Sequence, residues 1–198
     1  MRAISYISSG DRVLDICTGT GRLAIMVSKK VDKNGSVTGI DINDEMLAIA
    51  RKKVKKNPGN LSFILADSKN IPFEDSLFDA VTVAFGIRNI SEPEKALKEC
   101  YRLLKKGGRF ICLELMKPES PFFRPLWRFY VFKIVPFIGM MVTGDPLPYR
   151  YLPSSIEGFY SVQEFSEVLK NCGFHHIKLH RLTCGTANIF VAEKGFKE

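Results

Sequence analysis

The sequence is poor in the residues that build metal and disulfide sites. It holds three histidines and five cysteines, and Cys17, Cys100, Cys112, Cys172 and Cys184 form no C-x-x-C pair. That spacing argues against a bound metal or a disulfide framework and fits a reducing cytosol. Long apolar runs are also missing. The uncharged stretch from Ile134 to Gly144 falls far short of the ~20 apolar residues a spanning helix needs. No N-terminal stretch joins a charged start to an apolar core, so nothing reads as a signal peptide and the expected location is the cytoplasm. Internal repeats and low-complexity segments are absent, and residues 1–198 read as one domain.

Acidic residues are outnumbered. Lysine and arginine total 29 against 21 aspartates and glutamates, for a net charge of +8. Such a balance suits nucleic acid, an anionic membrane surface, or solubility alone. Nucleic-acid readers interleave aromatics with basic residues. The densest basic run, Arg51, Lys52, Lys53, Lys55 and Lys56, contains no aromatic, so it reads as the solvated end of a helix and no nucleic acid is expected.

What is present is a core-forming alternation. Hydrophobic residues make up 45% of the chain, enough for a globular fold. Apolar runs over Asp11–Ile16, Val37–Asp41, Leu61–Leu65, Phe78–Phe85 and Arg109–Leu115 predict five strands. Helical patterns fall between them at Arg22–Lys30, after Asn43, and from Pro93 to Leu104, with Lys106-Gly107-Gly108 as the last stop. The helix after Asn43 is expected to turn Met46, Leu47, Ile49, Ala50 and Val54 inward. This rhythm predicts a doubly wound parallel sheet. Ser161–Cys172 predicts a further helix. His175–Leu182 and Ala187–Glu193 predict two closely joined strands, which must pair antiparallel. The expected fold is α/β, seven-stranded, with one reversed strand near Ala187–Glu193. Met1–Gly10 carries no clear pattern.

The densest chemical signal is VLDICTGTG, Val13 to Gly21. Strand, glycine turn and helix follow one another, so the helix aims its free N–H groups at the turn. Gly19-Thr20-Gly21 with Ala24 fits G-x-G-x-x-A, a dinucleotide fingerprint. Asp41 ends the next strand, where a carboxylate can accept bonds from the ribose hydroxyls of NAD or any adenosine cofactor. Asp15 discriminates. It stands inside the strand ahead of the glycines, where a dinucleotide fold usually places an apolar residue. D-x-x-x-G-T-G resembles motif I of the class I S-adenosylmethionine (SAM) methyltransferases, whose acidic residue sits near the cationic methionine end of the cofactor.

Residues 118–159 break the alternation. Seven of the ten prolines lie here, with Phe122, Phe123, Trp127, Phe129, Tyr130, Phe132 and Phe137, interrupted by Arg124, Arg128 and Lys133. The segment reads as an insertion, helical in part, that covers something apolar, rests on a membrane, or packs as an ordinary helix pair.

From Val13 onward the chain resembles the ubiquinone/menaquinone biosynthesis C-methyltransferases of the UbiE/MenG type. The resemblance rests on motifs in order: VLDICTGTG, GIDINDEML, LADSKNIPFEDSLFDAV, AFGIRNI (Ala84 to Ile90), YRLLKKGGRFICLELMKP (Tyr101 to Pro118), PFIGMMV (Pro136 to Val142), YRYLPSSIEGF (Tyr149 to Phe159) and LTCGTANIF. Arg22 stands where the family commonly has an acidic residue, and TGDPLP is not a close match. Members usually carry a helical segment upstream that helps close the active site; here Met1–Gly10 alone precedes the first strand, so the chain reads as short at this end.

The resemblance implies methyl transfer from SAM to a ring carbon of a demethylated polyprenyl quinol, a ubiquinone or menaquinone precursor. It implies that Asp15, Gly19, Thr20 and Gly21 serve the methionine portion, Asp41 the ribose, Ile42 the adenine face, Asp67 and Ser68 the adenine edge, and Ala84 the end of the fourth strand. Arg88 and Asn89 become the first candidates beside the reacting hydroxyl, Tyr149 and Tyr151 the second, Glu114 the third. The insertion would cover the prenyl tail, and the basic charge would suit peripheral contact at the inner face of an anionic membrane. A homodimer is compatible. Rival readings are a methyltransferase for another lipid or small molecule, an NAD-dependent oxidoreductase, and an RNA-binding protein. His175, His176 and His180 are expected to be structural or exposed.

Overall fold

A computed structural model describes residues 2–54, 59–135 and 147–195, the side chains of 147–150 excepted. Seven strands form one sheet: β1 (Arg12–Ile16), β2 (Ser36–Asp41), β3 (Leu61–Leu65), β4 (Phe78–Ala84), β5 (Leu104–Leu115), β6 (Phe174–Leu182) and β7 (Ala187–Lys194). Their order is β3-β2-β1-β4-β5-β7-β6. All neighbouring pairs up to β4–β5 are parallel, and β7 runs antiparallel to both β5 and β6. The expected reversed strand is therefore the one observed, lodged between β5 and β6.

The helices are α1 (Arg22–Val31), α2 (Asp44–Lys53), α3 (Pro93–Leu103), α4 (Phe123–Phe129), α5 (Leu147–Glu157) and α6 (Val162–Asn171). A π-helical turn over Tyr130–Ile134 extends α4. Local chemistry sets several ends. The Asn43 side chain accepts from the Met46 N–H to cap α2. Ser161 and Glu164 form a reciprocal capping box on α6. Pro93 occupies the first turn of α3, where its missing N–H costs nothing.

Strand alternation divides the core. Leu14, Ile16, Val81, Val83, Phe110, Cys112 and Phe190 face one side, against Leu97, Cys100 and Leu103 of α3 and Phe165 and Leu169 of α6. Val13, Val37, Ala80, Ile111, Ile189 and Val191 face the other, against Ala24, Val27 and Val31 of α1. Each such large side chain stabilises the fold by about 1.5–3 kcal/mol.

Three differences from the sequence reading have physical causes. The opening residues form a 3₁₀ turn, Arg2–Tyr6, and bury Ala3 and Ile7 on the α1 side of the sheet. Strand β5 begins at Leu104, so Lys106-Gly107-Gly108 lies inside it; Leu104 pairs with Phe78, and a register shift follows before Arg109 pairs with Ala80. Gly107, at φ +74°, takes up the irregularity. On α2 only Leu47 and Ala50 are buried, while Met46 and Ile49 are 41% and 43% exposed. Met46 instead turns to the open end of the sheet.

Strand order reverses at β1, whose neighbours are β2 on one side and β4 on the other. In open α/β sheets the crevice outside the carboxyl ends at such a point collects ligands.

Candidate active site

Two turns leave the carboxyl ends of β1 and β4. The first is Cys17-Thr18-Gly19-Thr20-Gly21. Cys17, Gly19 and Gly21 have positive φ of 51°, 54° and 75°. The two glycines do different work. A Cβ on Gly21 would meet the Phe63 ring at 2.8 Å and the Ala50 Cβ at 3.0 Å, so this position serves close packing. A Cβ on Gly19 would meet nothing within 4 Å. It would project into the cleft, where only a ligand can use the space.

Asp15 and Asp41 hold this turn from two sides. Asp15 is 1% exposed and accepts hydrogen bonds from the Thr18 and Thr82 hydroxyls, each at 2.6 Å. Burial pushes its carboxyl up to about 6, against the two hydroxyl bonds that hold it down. Asp41, at the end of β2, accepts from the Gly19 N–H at 2.7 Å and the Asn43 N–H at 2.9 Å. Each oxygen keeps a lone pair, and the carboxylate lines the cleft.

The second turn begins at Phe85, which has φ +57°, an uncommon conformation for a bulky residue. The residue is 43% exposed and lines both lobes of the cleft. One lobe, of about 370 Å³, is lined by Gly19, Asp41, Ile42, Met46, Asp67 and Ser68 on one side and Gly86, Asn89 and Ile90 on the other. The second, of about 540 Å³, is lined by Asp15, Gly19, Thr20, Met26, Ala84 and Phe85. Cys17, Gly19 and Phe85 belong to both lobes. Every residue expected around the cofactor lines this cleft except Gly21, which supports it from beneath. Ile42 is 72% exposed there, an apolar surface with no protein partner over most of its area. An adenosine with a charged tail fits this set: an apolar shelf, a carboxylate at ribose depth, and a glycine leaving room for backbone approach.

The residues expected near the reacting atoms form one network. Arg88 donates from Nη1 to Glu114 Oε1 at 2.5 Å and to the Phe85 carbonyl at 2.8 Å, and from Nε to Ser155 Oγ at 3.3 Å. Its side chain is 8% exposed and that of Glu114 0%. Glu114 also accepts from the Arg88 and Leu115 N–H groups. Burial pushes the Glu114 carboxyl above its ordinary range, with Arg88 restraining the rise. Arg88 is thus half of a buried ion pair rather than an open cation. Asn89 lines the cleft and accepts from the Tyr151 hydroxyl at 3.1 Å. The Tyr149 side chain and the whole PFIGMMV motif lie outside the described residues. Among the described residues no cluster of His, Cys, Asp or Glu could hold a metal. His175 and His176 are exposed on β6, and His180 contacts the Tyr6 hydroxyl at 2.5 Å, away from the cleft.

A third cavity, of about 570 Å³, lies in the 118–159 region. It is walled almost wholly by apolar atoms of Leu115, Phe123, Trp127, Val131, Leu152 and Ile156, with the Thr183–Thr186 turn at one edge. Leu115 and Ile156 follow Glu114 and Ser155 directly, so this cavity adjoins the Arg88 network.

A model of the ubiE/COQ5 methyltransferase family matches residues 1–194. The chain belongs to that family. Among its relatives, the ubiquinone/menaquinone biosynthesis C-methyltransferase UbiE of Rickettsia felis is 43% identical over 187 residues, covering 92% of this chain and 75% of that protein. UbiE of Geotalea daltonii is 37% identical, covering 98% and 83%. Among solved structures, a SAM-dependent methyltransferase from Aquifex aeolicus superposes with a TM-score of 0.69 at 25% identity, over 94% of this chain and 83% of that one. The family member described here is accordingly an enzyme, a SAM-dependent methyltransferase of the class I α/β fold. The oxidoreductase reading is set aside.

Sequence reasoning missed Cys17, Met46, Phe85 and Ile90 as cleft residues. The signal for Met46 was present: it follows a capping Asn43 on the helix that starts beside Asp41. The apolar run ends on Phe85, and nothing in its neighbours announces the positive φ.

Proposed function

We propose that this enzyme methylates a ring carbon of a demethylated polyprenyl quinol. The observation that carries the proposal is the apolar cavity beside the Arg88–Glu114 pair. A small polar acceptor has no use for such a wall, whereas a prenyl tail would gain roughly 25 cal/mol per Å² buried there. The relatives' printed name, ubiquinone/menaquinone biosynthesis C-methyltransferase, agrees with that chemistry.

SAM, when bound, supplies a methyl group already activated on a sulfonium. The residues contribute placement. Asp41 holds the ribose hydroxyls through charge-assisted bonds. Ile42 and Met46 pack on adenine, with Asp67 and Ser68 at its edge. Gly19, Thr20 and Gly21 carry the methionine portion, and Asp15 fixes that turn through Thr18. Ala84 closes the floor of this end.

The acceptor's ring carbon becomes nucleophilic when the neighbouring hydroxyl gives up its proton. That phenol begins near pKa ~10. Asn89 and Tyr151 are the polar groups set to orient it. Arg88 and Glu114, buried as a pair behind these groups, would hold them in place, and the hydroxyl proton would pass to water. SAM held by these residues would supply the methyl group and keep the electron pair on sulfur, and the proton displaced from the ring carbon would pass to water. Holding ring and methyl in line supplies most of the rate. The membrane that stores such acceptors makes peripheral contact useful, and the net charge of +8 suits an anionic leaflet.

The test is transfer of label from methyl-labelled SAM to demethylquinols with and without a prenyl tail. Preference for the prenylated acceptor supports the proposal. Equal turnover of both removes the role given to the cavity.

A further inference from the structure

The helix that roofs the apolar cavity has a second apolar face, directed outward. Phe122, Leu126 and Phe129 are spaced as one face of a helix and are 93%, 63% and 59% exposed; Tyr130 beside them is 50% exposed. The opposite face, Trp127 and Val131, is buried against Ile156. A helix apolar on both faces needs something on each. The inner one has the cavity.

Charge names what suits the outer face. No acidic residue occurs between Ser120 and Val135, while Arg124, Arg128 and Lys133 do. Two carboxylates flanking the segment are engaged: Glu119 pairs with Arg181 at 3.0 Å and Glu157 with Arg128 at 3.1 Å. Arg124 and Lys133 have no ion-pair partner among the described residues. Exposed aromatics and leucine flanked by basic groups match a bilayer interface bearing anionic headgroups. No helix of the described residues is long and apolar enough to cross a membrane, so the fit is to the surface.

Leu126, Phe129 and Tyr130 belong to both features, the outward face and the cavity wall. We infer that Phe122–Tyr130 is a docking face for an anionic lipid bilayer, and that the mouth of the cavity opens within it. An acceptor tail would then pass from bilayer to cavity without crossing water. The tail's route rests on the prenylated acceptor proposed above; docking itself does not.

The experiment uses the full chain and vesicles without any acceptor. Vesicles of phosphatidylcholine with roughly 30 mol% phosphatidylglycerol should bind the protein, and pure phosphatidylcholine should bind it several-fold less. Phe122→Glu should weaken binding roughly tenfold, the scale of one aromatic side chain. Arg124→Gln should weaken it about fivefold, the scale of one basic residue at the surface. Trp127, the single tryptophan, should be quenched by lipids with brominated acyl chains. SAM affinity in vesicle-free buffer checks that each variant is folded. Equal binding to both vesicle types, unquenched Trp127, or unchanged binding of Phe122→Glu overturns the inference. So does a dimer that Phe122→Glu dissolves, which would give the face to a second copy of the chain. Docking together with indifference to the acceptor's tail would leave this inference standing and defeat the proposed substrate instead.

Discussion

Arg88 and Glu114 form an ion pair at 2.5 Å with side chains 8% and 0% exposed. The pair joins the end of β5 to the turn after β4, and Arg88 reaches Ser155 on α5. It therefore sets where α5 stands over the cleft. Removing one partner leaves the other buried and uncompensated, which costs about 3–5 kcal/mol. Arg88→Ala should lower the melting temperature by roughly 6–20 °C, taking about 2–4 °C per kcal/mol for a chain of this size. SAM affinity should persist, because Arg88 is not among the residues lining either lobe of the cleft. Turnover should fall by roughly tenfold or more as the acceptor loses its placement. Arg88→Met with Glu114→Leu should recover much of the stability and none of the turnover. Calorimetry and single-turnover assays separate these effects; a single variant as stable as the parent would mean the pair is not structural.

Asp15 supplies a pH signature. Its carboxyl is pushed from 3.8 to about 6 on folding, chiefly by burial. As pH rises through about 4, the unfolded carboxyl ionises first and the native one keeps its proton. This group's contribution to stability therefore declines between about pH 4 and 6 and is flat above. At 1.36 kcal/mol per pKa unit, the change is about 3 kcal/mol. Asp15→Asn cannot titrate, so its stability relative to the parent should improve by that amount across the window. Denaturant titrations of the ligand-free protein from pH 4 to 7 give the comparison. Parallel curves would show that Asp15 stays ionised in the fold.

The two motif glycines should fail differently. Gly21→Ala drives a methyl group into Phe63 and Ala50 at a strained φ, and should cost stability before anything else. Gly19→Ala meets no atom, so it should cost only the left-handed strain of about 1–2 kcal/mol. Its methyl group enters the cleft and should weaken SAM binding. Thermal melts with and without SAM distinguish them. Equal losses in both readouts for both variants would contradict this division.

Much of this was legible in the sequence because local and long-range signals agree. The run from Val13 to Gly21 encodes strand, turn and helix within nine positions, and the seven strands follow from apolar runs bounded by turns. Asp15 and Asp41 were legible because each stands at a strand position where a carboxylate has no packing reason to be. Arg88 was only half legible. The motif AFGIRNI marks it, but its partner lies on β5, and pairing between distant strand ends leaves no local trace. The opening turn was silent for the same reason: it packs on β5, about a hundred residues away. The π-turn at Tyr130–Ile134 has the composition of an ordinary helix.

Asp41 carries the cofactor half of the account. Asp41→Ala removes the ribose acceptor together with the bonds that fix Gly19 and Asn43. SAM binding should weaken by roughly 1.5–3 kcal/mol, the range for bonds to a charged group. Titration calorimetry reads this directly, and an unchanged affinity would mean the ribose is held elsewhere.

The central claim is that this cleft moves the methyl group of SAM onto carbon of a tailed quinol. Deuteromethyl SAM, a prenylated demethylquinol and the purified enzyme, followed by mass spectrometry and nuclear magnetic resonance of the product, test it most directly. The account predicts the label on a ring carbon beside a hydroxyl, with the untailed head group a much poorer acceptor. Label on oxygen, or transfer only to acceptors lacking the tail, would contradict it.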